Sequence, residues 1–430
     1  MPRKLQKGIY YNEQISSHFP NHYDLRKLRN KTFAMVFLRA KRGRNATQVA
    51  QSISSLWTLY NSLRKGHLLE LPGCQVPKGD LDVLIGYGPS IFELEGAKKA
   101  IPRDMRGMQF SNPKAGRPIL HGSGITYATD NHINLGHTEH VLIQFISNSQ
   151  LATHRAVVDT WRLLVKNDSN NSLKFSKFYS GFQRDDGRSW LGFHDGVSNL
   201  KSNERIGVIS VNEKWNRLMY SDLWTKNGTY LGFLRIVVNI AVWDSVKRNQ
   251  QEMLIGREKI GGRPIIAMDK SKKPVINKVC PKYDEIREYT PDFHDHPSYF
   301  DKPKLSMKKG NIDIEQSVRL LNQSHIGRTR HFDNTDYRDP SSNRIFRQGF
   351  EFVEPTNDST SPIKAGLNFV SFQNDPRRLL SLLSSPHWLG GTNFAGDSAN
   401  STRKLLTVDA AGIFIVPQHQ NPFPGSCILD

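Results

Sequence analysis

Two nine-residue runs more than two hundred positions apart repeat one pattern. His140-Val-Leu-Ile-Gln-Phe-Ile-Ser-Asn148 and Gly366-Leu-Asn-Phe-Val-Ser-Phe-Gln-Asn374 are both apolar, β-prone and closed by polar residues, and each leads directly into a helix-forming segment. A chain of 430 residues exceeds what one hydrophobic core ordinarily serves. An internal echo of this kind therefore points to a duplicated unit.

The pattern around each run fills in that unit. In the first half Phe33–Arg39 reads as a strand, and Ala46–Arg64 as a helix with Val49, Ile53, Leu56 and Tyr60 on one face. Leu81–Gly86 reads as a strand closed by the turn signal Gly86-Tyr-Gly-Pro89. His140–Ile146 is a further strand, followed by a helix over residues 152–166 with Val157, Trp161 and Leu164 inward, and by a strand over Leu173–Tyr179. In the second half strands are expected over Tyr230–Trp243, Arg344–Phe352, Leu367–Phe372 and Gly412–Pro417, with helices over Val246–Leu254 and Pro376–Leu383. Pro376 suits a first helical turn, where its missing N–H has no intrahelical partner. The order in each half is that of a ferredoxin-like α+β unit. Two such domains, 1–205 and 206–430, are expected. Between them, Arg257–Met307 has little periodicity, and so long an irregular stretch is expected to border a site.

The formal charge of +19 admits nucleic acid as a partner, since clustered Lys and Arg neutralise phosphates. The densest basic stretch, Arg26 to Arg44, is interrupted by the apolar run Phe33–Leu38, so its charges read as solvated strand ends. No helix-turn-helix, zinc-finger or RNP signature accompanies them. Cys74, Cys280 and Cys427 lack the number and spacing of a disulfide framework or a cysteine metal cage, and free thiols fit a reducing compartment. No apolar stretch approaches the roughly 18 residues of a membrane span. The N-terminus carries no apolar signal core. A cytoplasmic protein is expected, or a secreted one if a leader has been removed.

Two segments carry chemistry. In Gly192-Phe-His-Asp-Gly196 the glycines relax the backbone around Asp195 and allow close approach of a flat ligand, although Asp-Gly is also a common turn dipeptide. In Ser324-His-Ile-Gly-Arg328, His325 follows a helical-looking Ile312–Leu321. Arg347 lies 22 residues downstream of that histidine. It sits on a strand among Phe346, Phe350 and Phe352, where an unpaired guanidinium would be costly, so it wants an anion.

These segments, with Arg344-Ile-Phe-Arg-Gln-Gly-Phe350, Gly366-Leu-Asn-Phe-Val-Ser-Phe-Gln-Asn-Asp375 and Gly86-Tyr-Gly-Pro-Ser90, resemble in the same order segments of the dye-decolourising peroxidases. The resemblance runs from about Phe33 to Pro417. It implies two ferredoxin-like domains of the dimeric α+β barrel-like superfamily, and haem b held mainly by the second. It makes Asp195 and Arg347 the distal residues and His325 the proximal iron ligand. Gly192, Phe193, His194, Gly196, Arg328, Arg330, Leu367 and Phe369 would then contact the cofactor. Asp375, Asp397 and Asp409 all stand as the acidic partner of His325. The implied partners are hydrogen peroxide and an organic reductant, dye-like or phenolic, with no membrane and with a homo-oligomer compatible. A haem-binding or iron-recovery protein with little turnover is the competing reading, and a basic nucleic-acid-binding protein is a further one. One departure is Leu200, where the family commonly has proline.

Residue chemistry agrees with that implication. A neutral imidazole binds iron, and a carboxylate on its other nitrogen strengthens it. Asp195 would relay a proton between the two oxygens of peroxide, and Arg347 would stabilise the charge that develops as they part. A guanidinium beside a carboxylate lowers its pKa by roughly 1 to 3 units, which predicts an acidic activity optimum. Trp243, Trp388 and Tyr337 are candidates for relaying electrons to bulky substrates, although aromatic side chains are more often core.

Overall fold

The structure is a computed structural model. It describes residues 6, 31–68, 70–105, 119–121, 124–126, 139–166, 171–196, 199–200, 202–216, 218–260, 262, 266–268, 274–276, 324–325, 342, 344–357, 361–383 and 405–430.

Eight antiparallel strands close into one barrel. They are β1 (Thr32–Ala40), β2 (Asp82–Tyr87), β3 (Val141–Ser147), β4 (Leu173–Phe182), β5 (Thr229–Val238), β6 (Phe346–Pro355), β7 (Ile363–Gln373) and β8 (Leu406–Val416). Around the barrel the order is β1-β3-β2-β8-β5-β7-β6-β4. Each half thus contributes four neighbouring strands in the same relative order, first strand beside third and fourth, second at the edge. That is the ferredoxin-like sheet, formed twice. The sheets meet at two seams, Tyr87 opposite Ile415 and Phe182 opposite Glu351.

Two-residue alternation along the strands separates two cores. Phe33, Met35, Phe37, Phe233, Phe350, Phe372 and Phe414 point into the barrel and fill it, with Phe33 stacked on Phe350 at 4.4 Å between ring centroids. The opposite faces pack against helices. In the first half these are α1 (Ala46–Arg64) and α2 (Gln150–Lys166). α1 starts at a reciprocal cap, Asn45 Oδ1 accepting from Gln48 N–H while Gln48 Oε1 accepts from Asn45 N–H. On α2, Val157 and Leu164 are buried as expected, but Trp161 is 52% exposed. The helix has apolar residues on two faces, and the one carrying Thr153, Ala156 and Thr160 meets the sheet because small side chains permit closer approach.

A second expectation also changes. The strand expected over Tyr230–Trp243 ends at Val238, and the chain turns into α3 (Ile240–Ser245). The cause is local, because the Asn239 side chain accepts a hydrogen bond from Val242 N–H and caps the helix. Helices α4 (Arg248–Ile255) and α5 (Arg377–Leu383) also belong to the second half. The expected helix at Ile312–Leu321 lies outside the described residues. Among the described residues, no helix is long and apolar enough to cross a membrane. Cys74 and Cys427 are free thiols.

Candidate active site

The site is built where the chain leaves β4 and crosses the outer face of β6. Phe346, Phe350 and Phe352 turn into the barrel, so Arg347, Gly349 and Glu351 share the opposite face. On β7 Leu367 stands opposite Glu351, Phe369 opposite Gly349 and Ser371 opposite Arg347. This two-strand surface is the floor.

Residues 187–195 form a small turned-back loop above it. Ser189 N–H donates to Phe193 O, Asp195 N–H to Gly187 O and Gly192 N–H to Ser189 O. Gly192 and Gly196 have φ of 85° and 77°, which favours glycine at both positions. A Cβ at Gly192 would also lie 2.4 Å from Lys259 Cε, so that flexible side chain would have to move. Phe193 is buried edge-on to Trp243, and the Trp243 indole N–H donates to Leu191 O. Trp243 is thus a buried anchor of the loop. His194 Nε2 lies 2.9 Å from the Arg188 guanidinium and 3.1 Å from Ile260 O, which turns this histidine into the loop's own scaffold. Arg188 also donates to Gly192 O and Ile260 O. The described start of the irregular 257–307 stretch therefore does border the loop.

Asn199 locks the loop to the floor. Its amide donates to Arg347 O at 2.7 Å and accepts from Arg347 N–H at 3.0 Å. Leu200, at the position where proline is common, is buried in the barrel core and donates its N–H to Asn199 Oδ1. A proline has no N–H for that bond.

The outcome is a placed carboxylate. Asp195 Oδ1 accepts from Gly196 N–H at 2.7 Å, and Oδ2 lies over Gly349, where an added Cβ would meet it at 2.6 Å. Asp195 is exposed, whereas Arg347 is half-buried. Burial lowers the Arg347 pKa, and the Asp195 charge opposes that shift. Behind Arg347 lies a second guanidinium. Arg257 is buried, donates to Gly262 O at 2.8 Å, and is pushed down to about 9 by desolvation and then by Arg347. Two guanidiniums, the second depressed by the first, make this region favourable to anions.

Gly349 yields a sharp expectation. Its φ is not in the left-handed region, so alanine fits the strand backbone. The new methyl would instead collide with Asp195 Oδ2, and with Leu367 Cδ1 at 3.1 Å. Gly349→Ala is expected to keep the fold and its melting temperature while lowering kcat about 100-fold, the scale of a 1 Å misplacement of a reacting group. Unchanged kcat in steady-state assays would remove Oδ2 from the reaction.

The remaining expected site residues separate. His325 is half-buried beside the buried Ser324. Arg328, Arg330 and Asp397 lie outside the described residues, as do Trp388 and Tyr337. Asp375 is fully buried and engaged by Arg377 Nε, with both carboxylate oxygens at 2.9 Å. Asp409 is paired with Lys364 and lies 4.0 Å from Arg235. Those two carboxylates already serve cationic partners.

These residue types would fit a haem. The His325 imidazole, a carboxylate set over the strand that carries Arg347, apolar Leu367 and Phe369 on the floor and a region favourable to anions suit an iron porphyrin with two propionates. The sequence reading passed over Asn199, Gly349, Arg257 and Glu351. Alternation from Arg347 would have exposed Gly349 and Glu351, whereas nothing local marks Asn199 or Arg257.

The family model of the Dyp-type peroxidase C-terminal region matches residues 186–421, more than half of the chain, and the chain belongs to that family. It is a peroxidase, an oxidoreductase of a haem-dependent, iron-containing type. Solved structures agree in fold. An oxyferrous/water complex of DtpA from Streptomyces lividans is 18% identical over 94% of both chains, with a TM-score of 0.63. A DyP-type peroxidase from Streptomyces coelicolor is 18% identical over 94% of this chain and 93% of that one, also at 0.63. The Rhodococcus jostii DypB variant in complex with heme is 13% identical over 90% and 93%, at 0.51.

Proposed function

We propose that this peroxidase holds haem b on His325 and cleaves hydrogen peroxide with Asp195 and Arg347, oxidising dye-like or phenolic substrates in one-electron steps. The observation that carries the reading is the Asp195 carboxylate, set by its loop over Gly349 on the strand that presents Arg347. The haem-bearing relative from Rhodococcus jostii supports the cofactor.

Bound haem would supply the iron at which peroxide is activated and from which reductants are oxidised. The chain's own residues do the rest. His325 would hold the group through a neutral imidazole nitrogen, and Arg328 and Arg330 would complement its carboxylates. Asp195 has Oδ1 engaged by Gly196 N–H, so Oδ2 is the oxygen that takes a proton from peroxide and returns it to the departing oxygen. Arg347 directs N–H groups at the negative charge that develops there. Leu367 and Phe369 keep bulk water from that face. The division at 205/206 is part of this reading, with the loop reaching from the first domain onto a strand of the second.

The decisive experiment is the visible spectrum of the wild type and of His325→Ala, each with and without one equivalent of hydrogen peroxide. The wild type is expected to show a Soret band that shifts with peroxide, and the variant a weakened or displaced one. An identical band in both proteins would remove His325 as the ligand.

A further inference from the structure

Glu351 is the residue at which the two sheets meet on the floor of the site, opposite Phe182 of β4. It follows Gly349 by two positions and therefore shares its face, so its Cα lies on the order of 7 Å along the strand from that of Gly349, over which Asp195 Oδ2 rests. Only 4% of its surface is exposed. Its partners are few for a group so deeply placed. Oε2 accepts from Trp190 N–H at 3.4 Å, and Oε1 is buried with no hydrogen-bond partner among the described residues. An ionised carboxylate in that setting would leave several lone pairs unsatisfied.

Among the described residues, the charges facing Glu351 belong to three side chains. Asp195 presents a negative charge from the loop, while Arg184 and Asp186, on the segment leaving β4, oppose each other. Arg184 is committed to Asp186 and to the face of Trp190, with its carbon 4.9 Å from that ring. Burial, then Asp195, raises the Glu351 pKa to about 8.

We propose that Glu351 and Asp195 form a carboxyl pair holding a single proton, stored on Glu351 and passed to Asp195. The transfer is balanced: the Glu351 O–H breaks as an O–H forms on Asp195 Oδ2, with bridging water carrying the proton between them, and the negative charge moves from Asp195 to Glu351. The consequence is that the proton is held beside Asp195 rather than on it until it is passed. Two interacting carboxyls titrate as a pair. This inference rests on Asp195 as the proton-carrying residue.

The test is infrared spectroscopy of the purified full-length protein from pH 5 to 10, comparing wild type, Glu351→Gln and Asp195→Asn. Gln keeps an oxygen for Trp190 N–H, so a purely structural role survives that change. The wild type minus Glu351→Gln difference is expected to contain the carbonyl band of a protonated carboxylic acid, lost with a midpoint near pH 8. In Asp195→Asn that midpoint is expected to fall. Absence of the band at pH 6 would mean that Glu351 is ionised and would overturn the proposal. A midpoint unmoved in Asp195→Asn would show burial acting alone and would overturn the pairing. Because the band belongs to the chain, this result stands apart from the haem spectra, which test the functional reading separately.

Discussion

Asp195→Asn is expected to lower peroxidase kcat by about 10²- to 10⁴-fold while leaving the haem absorption of the protein intact. The substitution is nearly isosteric. Its side-chain oxygen still accepts from Gly196 N–H, and the loop is held by Asn199, Arg188 and Trp243 rather than by the carboxylate itself. What is lost is the proton-accepting oxygen over Gly349. Arg347→Gln should fall by about 10²- to 10³-fold, as for other groups that stabilise developing negative charge. A carboxylate base also predicts an acidic optimum, which Asp195→Asn should abolish. Steady-state kinetics between pH 3 and 9 would check both. If the wild type turns over no faster than Asp195→Asn, the competing reading of a haem binder with little turnover gains the ground.

Glu351 should impose a pH dependence on stability. Its folded-state pKa, about 8, lies above the ordinary glutamate value of 4.5. Well below pH 4.5 the group is protonated in both states and adds no penalty. As pH rises towards 8, the unfolded chain releases the proton and the folded chain retains it, so stability falls, and above 8 the loss is complete. At 1.36 kcal/mol per pH unit the interval sets a ceiling of about 5 kcal/mol. Glu351→Gln removes this component. Urea melts at pH 5 and pH 9 should show the variant losing less stability than the wild type over that range. Parallel losses in the two proteins would mean that Glu351 ionises normally in the folded state.

Some of this architecture is written locally. Alternating apolar residues place Phe346, Phe350 and Phe352 inside, which forces Arg347 onto the other face. The capping box at Asn45 starts α1, and the twin runs at His140 and Gly366 identify the duplicated unit. Where the linear reading failed, a competing local signal decided the outcome, as at Asn239, which turns an apolar strand into α3. On α2 two apolar faces competed, and only packing could choose between them.

The sequence by itself determined the ferredoxin-like repeat, the family and the residue types of the chemistry, because periodicity and short ordered motifs depend on neighbours in the chain. Only the tertiary structure decided that Asn199 clamps Arg347, that Gly349 leaves space for Asp195 Oδ2, and that Glu351 is buried at the seam with one oxygen unpartnered among the described residues. Those relations join residues about 150 positions apart across two sheets. They arise from barrel closure, which brings the end of β4 against β6 and carries the loop over the second sheet.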